Sequence, residues 1–149
     1  MSHRSLFAIE NDDNTIESIY CHWGGEPMNN GQTLYDHFSS SEKLRELFAL
    51  GNLSQLFPRL HPVGKHSFDK PEKDTTVAHH RDRGEPWDEV RPQTFATLEE
   101  FLKEFGKRYW NIEFAYVFSK KGQWTFYSSE KVKPFQKKHV LSTTLKEKK

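Results

Sequence analysis

A dense group of imidazole and charged side chains lies between residues 79 and 85, in the order His-His-Arg-Asp-Arg-Gly-Glu. It follows an apolar stretch, so we predict a strand over residues 75–83 that carries most of the group. In a strand, His80 and Asp82 would point to the same side, and Arg81 and Arg83 could hold a phosphate or a carboxylate. The alternative is that Asp82 pairs with its neighbouring arginines or caps the following turn. We favour this alternative, because charges gathered at a strand end usually solvate a surface.

A thiol, an imidazole and an indole stand side by side in Cys21-His22-Trp23. A cysteine nucleophile beside a histidine is one interpretation, but the alternation of Cys21 with Ile19 and Trp23 is typical of a buried thiol. Neighbouring strand residues face opposite sides, so Cys21 and His22 cannot easily chelate one metal ion together. The chain also has no HExxH or paired CxxC motif. We therefore predict no catalytic residue, no metal site and no cofactor.

These two segments together form the predicted binding site. The Gly24-Gly25 pair after the tryptophan could bind an anion through its backbone, although a turn between a strand and a helix explains it equally well. The residues predicted to bind a ligand or partner are His22, Trp23, His80, Arg81, Asp82, Arg83 and Glu85.

The C-terminal 21 residues differ from the rest of the chain in charge. Residues 129–149 hold seven lysines and two glutamates, a net charge of +5, which leaves −4 for residues 1–128. We predict a single domain over residues 1–128 and a basic, partly disordered tail over residues 129–149. The tail could bind nucleic acid without sequence preference or dock on an acidic partner. The lysines predicted to do so are Lys131, Lys133, Lys137 and Lys138.

Composition limits the protein class and the compartment. The chain has 149 residues and a net charge of only +1, which argues against a dedicated duplex-DNA binder. Its 12 Phe, 5 Tyr and 4 Trp can build a core despite a hydrophobic content of 34%. Cys21 is the only cysteine, and no apolar run approaches the length of a membrane span. We expect a cytoplasmic protein with no membrane association.

Residue periodicity predicts an α+β fold. Alternation indicates one hairpin over residues 5–23 and another over residues 113–128, with the strand at residues 75–83 as the fifth. Helices are predicted at residues 32–38, at 42–50 and from Thr97, where a capping box precedes Leu98, Phe101 and Leu102 on one stripe. We predict an antiparallel or mixed sheet of about five strands, with about three helices on one face. A long loop over residues 52–74 separates the two halves.

Several short segments carry a family resemblance. Residues 18–23 (SIYCHW), 50–54 (LGNLS), 81–85 (RDRGE) and 114–118 (FAYVF) resemble a family of small uncharacterised proteins encoded by bacteriophages and prophages. The resemblance covers most of residues 4–126 and excludes the tail. The sequence departs from the family pattern at residues 24–27, where Asp-Gly-Tyr-Pro is usual, and at His79-His80, where Tyr-Gly is common.

The resemblance implies a phage accessory protein that works in a bacterial cytoplasm and carries no established activity. From it we expect a non-enzymatic protein that binds and inhibits a host protein or defence component, such as a CRISPR or restriction factor. The first alternative is a small-ligand or metal-dependent enzyme that uses the His/Asp/Arg cluster. The second is a nucleic-acid-binding accessory protein that acts through its basic tail.

Overall fold

Two hairpins predicted from alternation form the centre of the fold. The structure is a computed structural model that describes residues 4–105, 112–130 and 133–140. The described strands are β1 (Arg4–Glu10), β2 (Ile16–Cys21), β3 (Leu53–Gln55), β4 (Val77–Ala78), β5 (Gln93–Phe95), β6 (Ile112–Phe118), β7 (Trp124–Glu130) and β8 (Lys133–Val140). The described helices are α1 (Gln32–His37), α2 (Ser41–Phe48), α3 (His79–Arg83), α4 (Trp87–Val90) and α5 (Leu98–Phe105), with a π-helical turn at Pro27–Gly31 before α1.

The described strands form one mixed sheet. Seven of them lie in the order β4-β3-β2-β1-β6-β7-β8, and β5 pairs with β2 beside this path. The hairpins β1–β2 and β6–β7 are antiparallel, but they meet through a parallel pairing of β1 with β6. The predicted α+β fold is therefore confirmed, and of the two sheet types that the prediction allowed, antiparallel or mixed, the sheet is mixed. The sheet has more strands than predicted, because β3, β5 and β8 have too few residues or too little alternation to be recognised in the sequence.

Helices cover both faces of the sheet, so the prediction of helices on one face is wrong. On one face, Phe7, Ile19 and Tyr116 pack with Leu34 of α1 and Leu44 of α2. On the other, a smaller cluster joins Ala8, Ile16 and Phe101, the last of these from α5. The two clusters use alternate residues of the same strands, as the period of two requires. The central strands thus carry apolar residues on both sides.

The predicted strand over residues 75–83 is also wrong beyond its first residues. β4 holds only Val77 and Ala78, and the chain then turns into the short helix α3. The carboxylate of Asp82 accepts a hydrogen bond of 2.8 Å from the N–H of Ala78, where the helix begins. Gly84, with a φ of +80°, ends the helix. His80 and Asp82 therefore lie on a helical turn and do not share one side of a strand.

The segment predicted as a basic tail is in part a strand. β7 extends to Glu130, and β8 pairs with it antiparallel over residues 133–140. The boundary at residue 128 is therefore not the end of the folded sheet, which corrects the prediction of a tail from residue 129. Residues 141–149 lie outside the described residues.

Candidate functional site

The charged cluster at residues 79–85 divides into an inward half and an outward half, because a helix such as α3 places residues four apart, His79 and Arg83, on one face and turns Arg81 and Asp82 away from it. Arg81 and Asp82 point inward. The guanidinium of Arg81 donates to both carboxylate oxygens of Asp82, at 2.9 and 3.0 Å. It also donates to the carbonyls of Leu60 and Thr76, at 2.6 and 2.8 Å. Arg81 is therefore occupied by the protein itself, and Asp82 pairs with a neighbouring arginine, as in the interpretation favoured from the sequence.

The carboxylate of Asp82 ties the long loop to this helix. His66, in the middle of the loop, places Nε2 3.1 Å from Asp82 Oδ2, and both side chains are buried. His66 Nδ1 accepts the backbone N–H of Glu72 at 2.9 Å, which leaves Nε2 as the ring nitrogen nearest the carboxylate. Burial raises the pKa of Asp82, but hydrogen bonds from Arg81, Ala78 and His66 outweigh it and the pKa is lowered. His66, Arg81 and Asp82 thus form a structural clamp.

His80 is also directed away from the predicted site. Its ring packs edge-on against Trp87, with centroids 5.3 Å apart, and its Nδ1 lies 2.7 Å from the carbonyl oxygen of Glu85. These contacts join α3 to α4. The contacts recorded here for His80, Arg81 and Asp82 are thus with α4, Glu85, the long loop and the strand residues before α3, and not with His22 and Trp23, with which the sequence prediction grouped them.

The outward half brings together five residues that we call the Trp23 patch: His22, Trp23, His79, Arg83 and Glu85. The Glu85 carboxylate lies 3.4 Å from Arg83 Nε and 3.7 Å from His79 Nδ1. His22 packs edge-on against Trp23, with ring centroids 4.8 Å apart. The strand order β2-β3-β4 places His22 and His79 just beyond the ends of strands that both flank β3. The patch is therefore assembled by sheet topology.

Trp23 is held in place while its indole stays accessible. Its backbone N–H donates to the carbonyl of Ser54 at 3.0 Å, and its carbonyl accepts the side-chain amide of the buried Asn30 at 2.9 Å. The residue as a whole is 44% exposed. On the far side of the patch, the guanidinium of Arg83 lies 5.1 Å from the ring centroid of Phe68, another exposed aromatic. Because its backbone is fixed and its ring is exposed, Trp23 could contact a binding partner with little loss of conformational freedom.

Both imidazoles of the patch favour the neutral form. Burial lowers the pKa of His22, and the charges of Arg4 and Arg83 lower it further. Burial likewise lowers the pKa of His79; Glu85 opposes this shift, and Arg83 and His22 reinforce it. At neutral pH the charges of the patch are therefore those of Arg83 and Glu85, which balance each other.

The shift at His79 predicts a pH dependence of stability. Because the folded-state pKa lies below the unfolded value of about 6.5, the unfolded chain binds the proton more readily, and stability falls as the pH drops from that value towards the folded pKa. We expect the melting temperature to fall between pH 7.5 and pH 5.5, and to fall less in His79→Gln. Equal slopes in the two proteins would contradict this assignment.

Cys21 lies in the core, the outcome favoured by its alternation with Ile19. Burial raises the pKa of its thiol to about 12, so little thiolate exists at neutral pH. Its sulfur lies 3.5 Å from the side-chain nitrogen of Asn30. No group of three or more His, Cys, Asp or Glu side chains in the described part of the chain is arranged to hold a metal ion.

Sequence reasoning missed two residues of this region. His79 belongs to the patch in place of His80, because the chain changes from strand to helix at His79 and the expected alternation is lost. His66 lies within the segment predicted as a long loop, and no local pattern indicates its contact with Asp82, 16 residues away. One contact of this region could have been predicted from the sequence. Tyr20 and His22 are two residues apart and fall on the same strand face, and the Tyr20 hydroxyl lies 2.7 Å from His22 Nδ1.

The lysines predicted to bind nucleic acid are not tested by this structure. Lys133, Lys137 and Lys138 belong to β8, and Lys131 lies outside the described residues. Because β8 pairs with β7, deletion of residues 129–149 would remove a strand of the sheet. Substitution of individual lysines is therefore the appropriate way to examine that hypothesis.

Comparisons with known proteins identify no relative. No family model matches the sequence, and no curated protein or solved structure shows a significant match to it. Within residues 4–105, 112–130 and 133–140, no helix is long and apolar enough to cross a membrane.

Proposed function

We propose that this chain is a bacteriophage accessory protein that binds and inhibits a host protein, a defence component, through the Trp23 patch and without catalysis. The site of action would be the bacterial cytoplasm. The observation that carries the proposal is the half-exposed indole of Trp23 on a backbone fixed by Asn30 and Ser54. Tryptophan and arginine are the residues that most often dominate the energy of protein interfaces.

The surroundings of Trp23 support a protein partner. Arg83 offers a charged group stacked on the exposed Phe68, and Glu85 offers a carboxylate beside it. An aromatic anchor with balanced charges around it fits the usual anatomy of an interface, in which aromatic residues fill the centre and polar groups form the rim. The family resemblance of residues 18–23 and 81–85 points to the same two segments, and it supplies the phage context.

The enzyme alternative receives less support. It requires His22 and Asp82 to line one pocket, but Asp82 contacts Arg81 and His66, whereas His22 contacts Tyr20 and Trp23. The raised pKa of Cys21 also disfavours a thiolate nucleophile.

The test is an affinity capture followed by a binding measurement. The immobilised protein is exposed to bacterial lysate, the captured protein is identified and purified, and its Kd is measured for Trp23→Ala and Arg83→Ala. We expect Trp23→Ala to weaken binding by at least roughly thirtyfold, the loss that a hot-spot residue causes. Tyr35→Ala is the matched control, because Tyr35 is an aromatic of similar exposure, 42%, outside the patch.

Two outcomes would overturn the proposal. One is a captured partner that binds Trp23→Ala as tightly as the unchanged protein. The other is turnover of a substrate by the purified protein, with no specific partner retained.

A further inference from the structure

The guanidinium of Arg83, at the end of α3, is held on two sides and accessible on a third. Its Nε lies 3.4 Å from the Glu85 carboxylate, and its Cζ lies 5.1 Å from the centroid of the Phe68 ring. Its terminal nitrogens, Nη1 and Nη2, make no hydrogen bond to any residue that the structure describes. The side chain is 51% exposed. Arg83 therefore presents the outer edge of a positioned guanidinium.

The ring beneath Arg83 belongs to a loop that is fixed by its own bonds. The Glu72 carboxylate accepts the backbone N–H groups of Val63 and Gly64, at 3.0 and 2.6 Å. The contact between the loop imidazole and the carboxylate of the structural clamp then fastens the loop to α3. The loop that carries Phe68 is thus tied both to itself and to the helix that carries Arg83.

The accessible edge of Arg83 lies in the same patch as the indole of Trp23. The carboxylate oxygen of Glu85 that pairs with Arg83 also lies 3.7 Å from His79 Nδ1. The charge of Arg83 contributes to the lowered pKa of both His22 and His79, and the His22 ring packs against Trp23. The patch therefore combines an exposed aromatic ring with a pair of available N–H donors.

We propose that Arg83 binds a carboxylate of the host partner, from an exposed Asp or Glu side chain, while an apolar side chain beside that carboxylate packs on Trp23. This inference rests on the proposed function, because it names the chemistry of the partner for the same patch. A guanidinium holds its N–H groups in a planar fork that matches the two oxygens of a carboxylate. Because Glu85 and Phe68 already position this fork, Arg83 loses less conformational freedom on binding.

A carboxylate fits this position better than a phosphate does. The lowered pKa values of His22 and His79 leave both imidazoles neutral at neutral pH, so they do not balance the second charge of a phosphate. The Glu85 carboxylate, next to Arg83, repels a doubly charged group more than a singly charged one. The charge of Arg4 also reaches His22, so a phosphate forms one arm of the test.

The first experiment needs no identified partner. The full chain, isotope-labelled, is titrated with the peptide acetyl-Leu-Glu-Leu-amide, and the resonances of the Arg83 Nε–H and the Trp23 indole N–H are followed by NMR. We expect both to shift saturably, with a Kd below about 10 mM. Peptides with Gln or phosphoserine in place of the Glu should bind more weakly. The absence of a saturable shift, or tighter binding of the phosphoserine peptide, would overturn the proposal.

The second experiment uses the captured host protein. We expect Arg83→Gln to weaken its binding at least about tenfold, the effect of lost charge-assisted hydrogen bonds. Arg83→Lys should weaken it about three- to tenfold, because lysine keeps the charge and loses the fork. Arg45→Gln is the matched control, since its side chain is 46% exposed and its terminal nitrogens already donate to Glu17 and Asn11. Full affinity in Arg83→Lys would contradict the two-bond geometry.

A double-mutant cycle identifies the carboxylate on the partner. Each exposed Asp and Glu of the partner is changed to its amide, and the Kd is measured against the unchanged chain and against Arg83→Gln. One amide substitution should cause a loss of affinity that largely disappears in Arg83→Gln. If Trp23→Ala weakens binding but no carboxylate is coupled to Arg83, this inference is wrong and the proposed function stands. If Trp23→Ala also leaves the Kd unchanged, both are wrong.

Discussion

Asp82→Asn is expected to lower the free energy of unfolding by about 3 kcal/mol. The substitution removes the buried negative charge that faces the partly exposed Arg81 and the buried His66, and breaking a fully buried ion pair typically costs about 3–5 kcal/mol. We take the lower end of this range because Arg81 is partly exposed and retains its bonds to the carbonyls of Leu60 and Thr76. Urea denaturation measures the change directly.

The matched control is Asp88→Asn, at an exposed carboxylate of α4. A change within about 0.5 kcal/mol is expected there, as for most surface substitutions. The pH dependence gives a second check. The lowered pKa of Asp82 means that its contribution is complete above the unfolded value of about 3.9 and is lost as the pH falls through the folded pKa. The acid limb of the stability curve should therefore flatten in Asp82→Asn. Equal stability losses in the two variants would show that the clamp does not form.

Gly51→Ala is the second large effect, with an expected loss of about 3 kcal/mol. Gly51 follows α2 with a φ of +75°, a conformation that costs an L-residue about 1–2 kcal/mol. A Cβ there would also lie 2.5 Å from the carbonyl oxygen of Val90. That oxygen accepts the N–H of Asn52 at 2.8 Å, so it cannot move away without breaking the bond. Overlap in a packed site adds about 1–3 kcal/mol.

Gly84→Ala separates the two causes of this loss. Gly84 has a similar φ of +80°, but no heavy atom lies within 4 Å of the Cβ that a substitution would add. Only the conformational cost should appear, about 1 kcal/mol. The comparison is made by urea denaturation of both variants. A Gly84→Ala loss as large as that of Gly51→Ala would mean that the backbone conformation, and not the contact with Val90, dominates.

Local patterns predicted the parts of this fold that local interactions determine. The hairpin β1–β2, the hairpin β6–β7 and the start of α5 follow from alternation, from turn residues and from a capping box. In that box Thr97 Oγ1 accepts the N–H of Glu100 at 3.1 Å, and the Glu100 carboxylate accepts the N–H of Ala96 at 3.2 Å. These contacts join residues only a few positions apart, so a local sequence pattern is enough to predict them.

The remaining parts depend on contacts between distant segments. The parallel pairing of β1 with β6 joins strands about 100 residues apart, and no property of either strand specifies that partner. That the central strands are buried on both faces could not be predicted either. Strands of this kind are expected to be continuously apolar, but the buried serines Ser5 and Ser18 interrupt that pattern. α3 was mistaken for a strand because its stabilising bond, from Ala78 to Asp82, opposes the strand propensity of the residues before it.

The candidate site was predicted in part for the same reasons. His22, Trp23, Arg83 and Glu85 were named from their residue types, and the structure brings them to one surface. The role of Arg81 and Asp82 depends on His66, which only tertiary folding brings near. The burial of Ser18 could not be predicted from the sequence, since a serine in an alternating strand is usually taken to face solvent. Its burial becomes visible only once α5 covers that face.

The two edges of the described sheet have a consequence for self-association. An open strand edge is a template on which a second chain can add its own strand, which leads to aggregation. At one edge β4 offers only two residues, too few for a stable ladder. At the other, β8 includes Pro134, which has no N–H to donate, and three lysines, whose charges oppose the approach of an identical strand. We therefore expect the basic composition of this segment to disfavour edge-to-edge pairing of two chains, independently of any ligand.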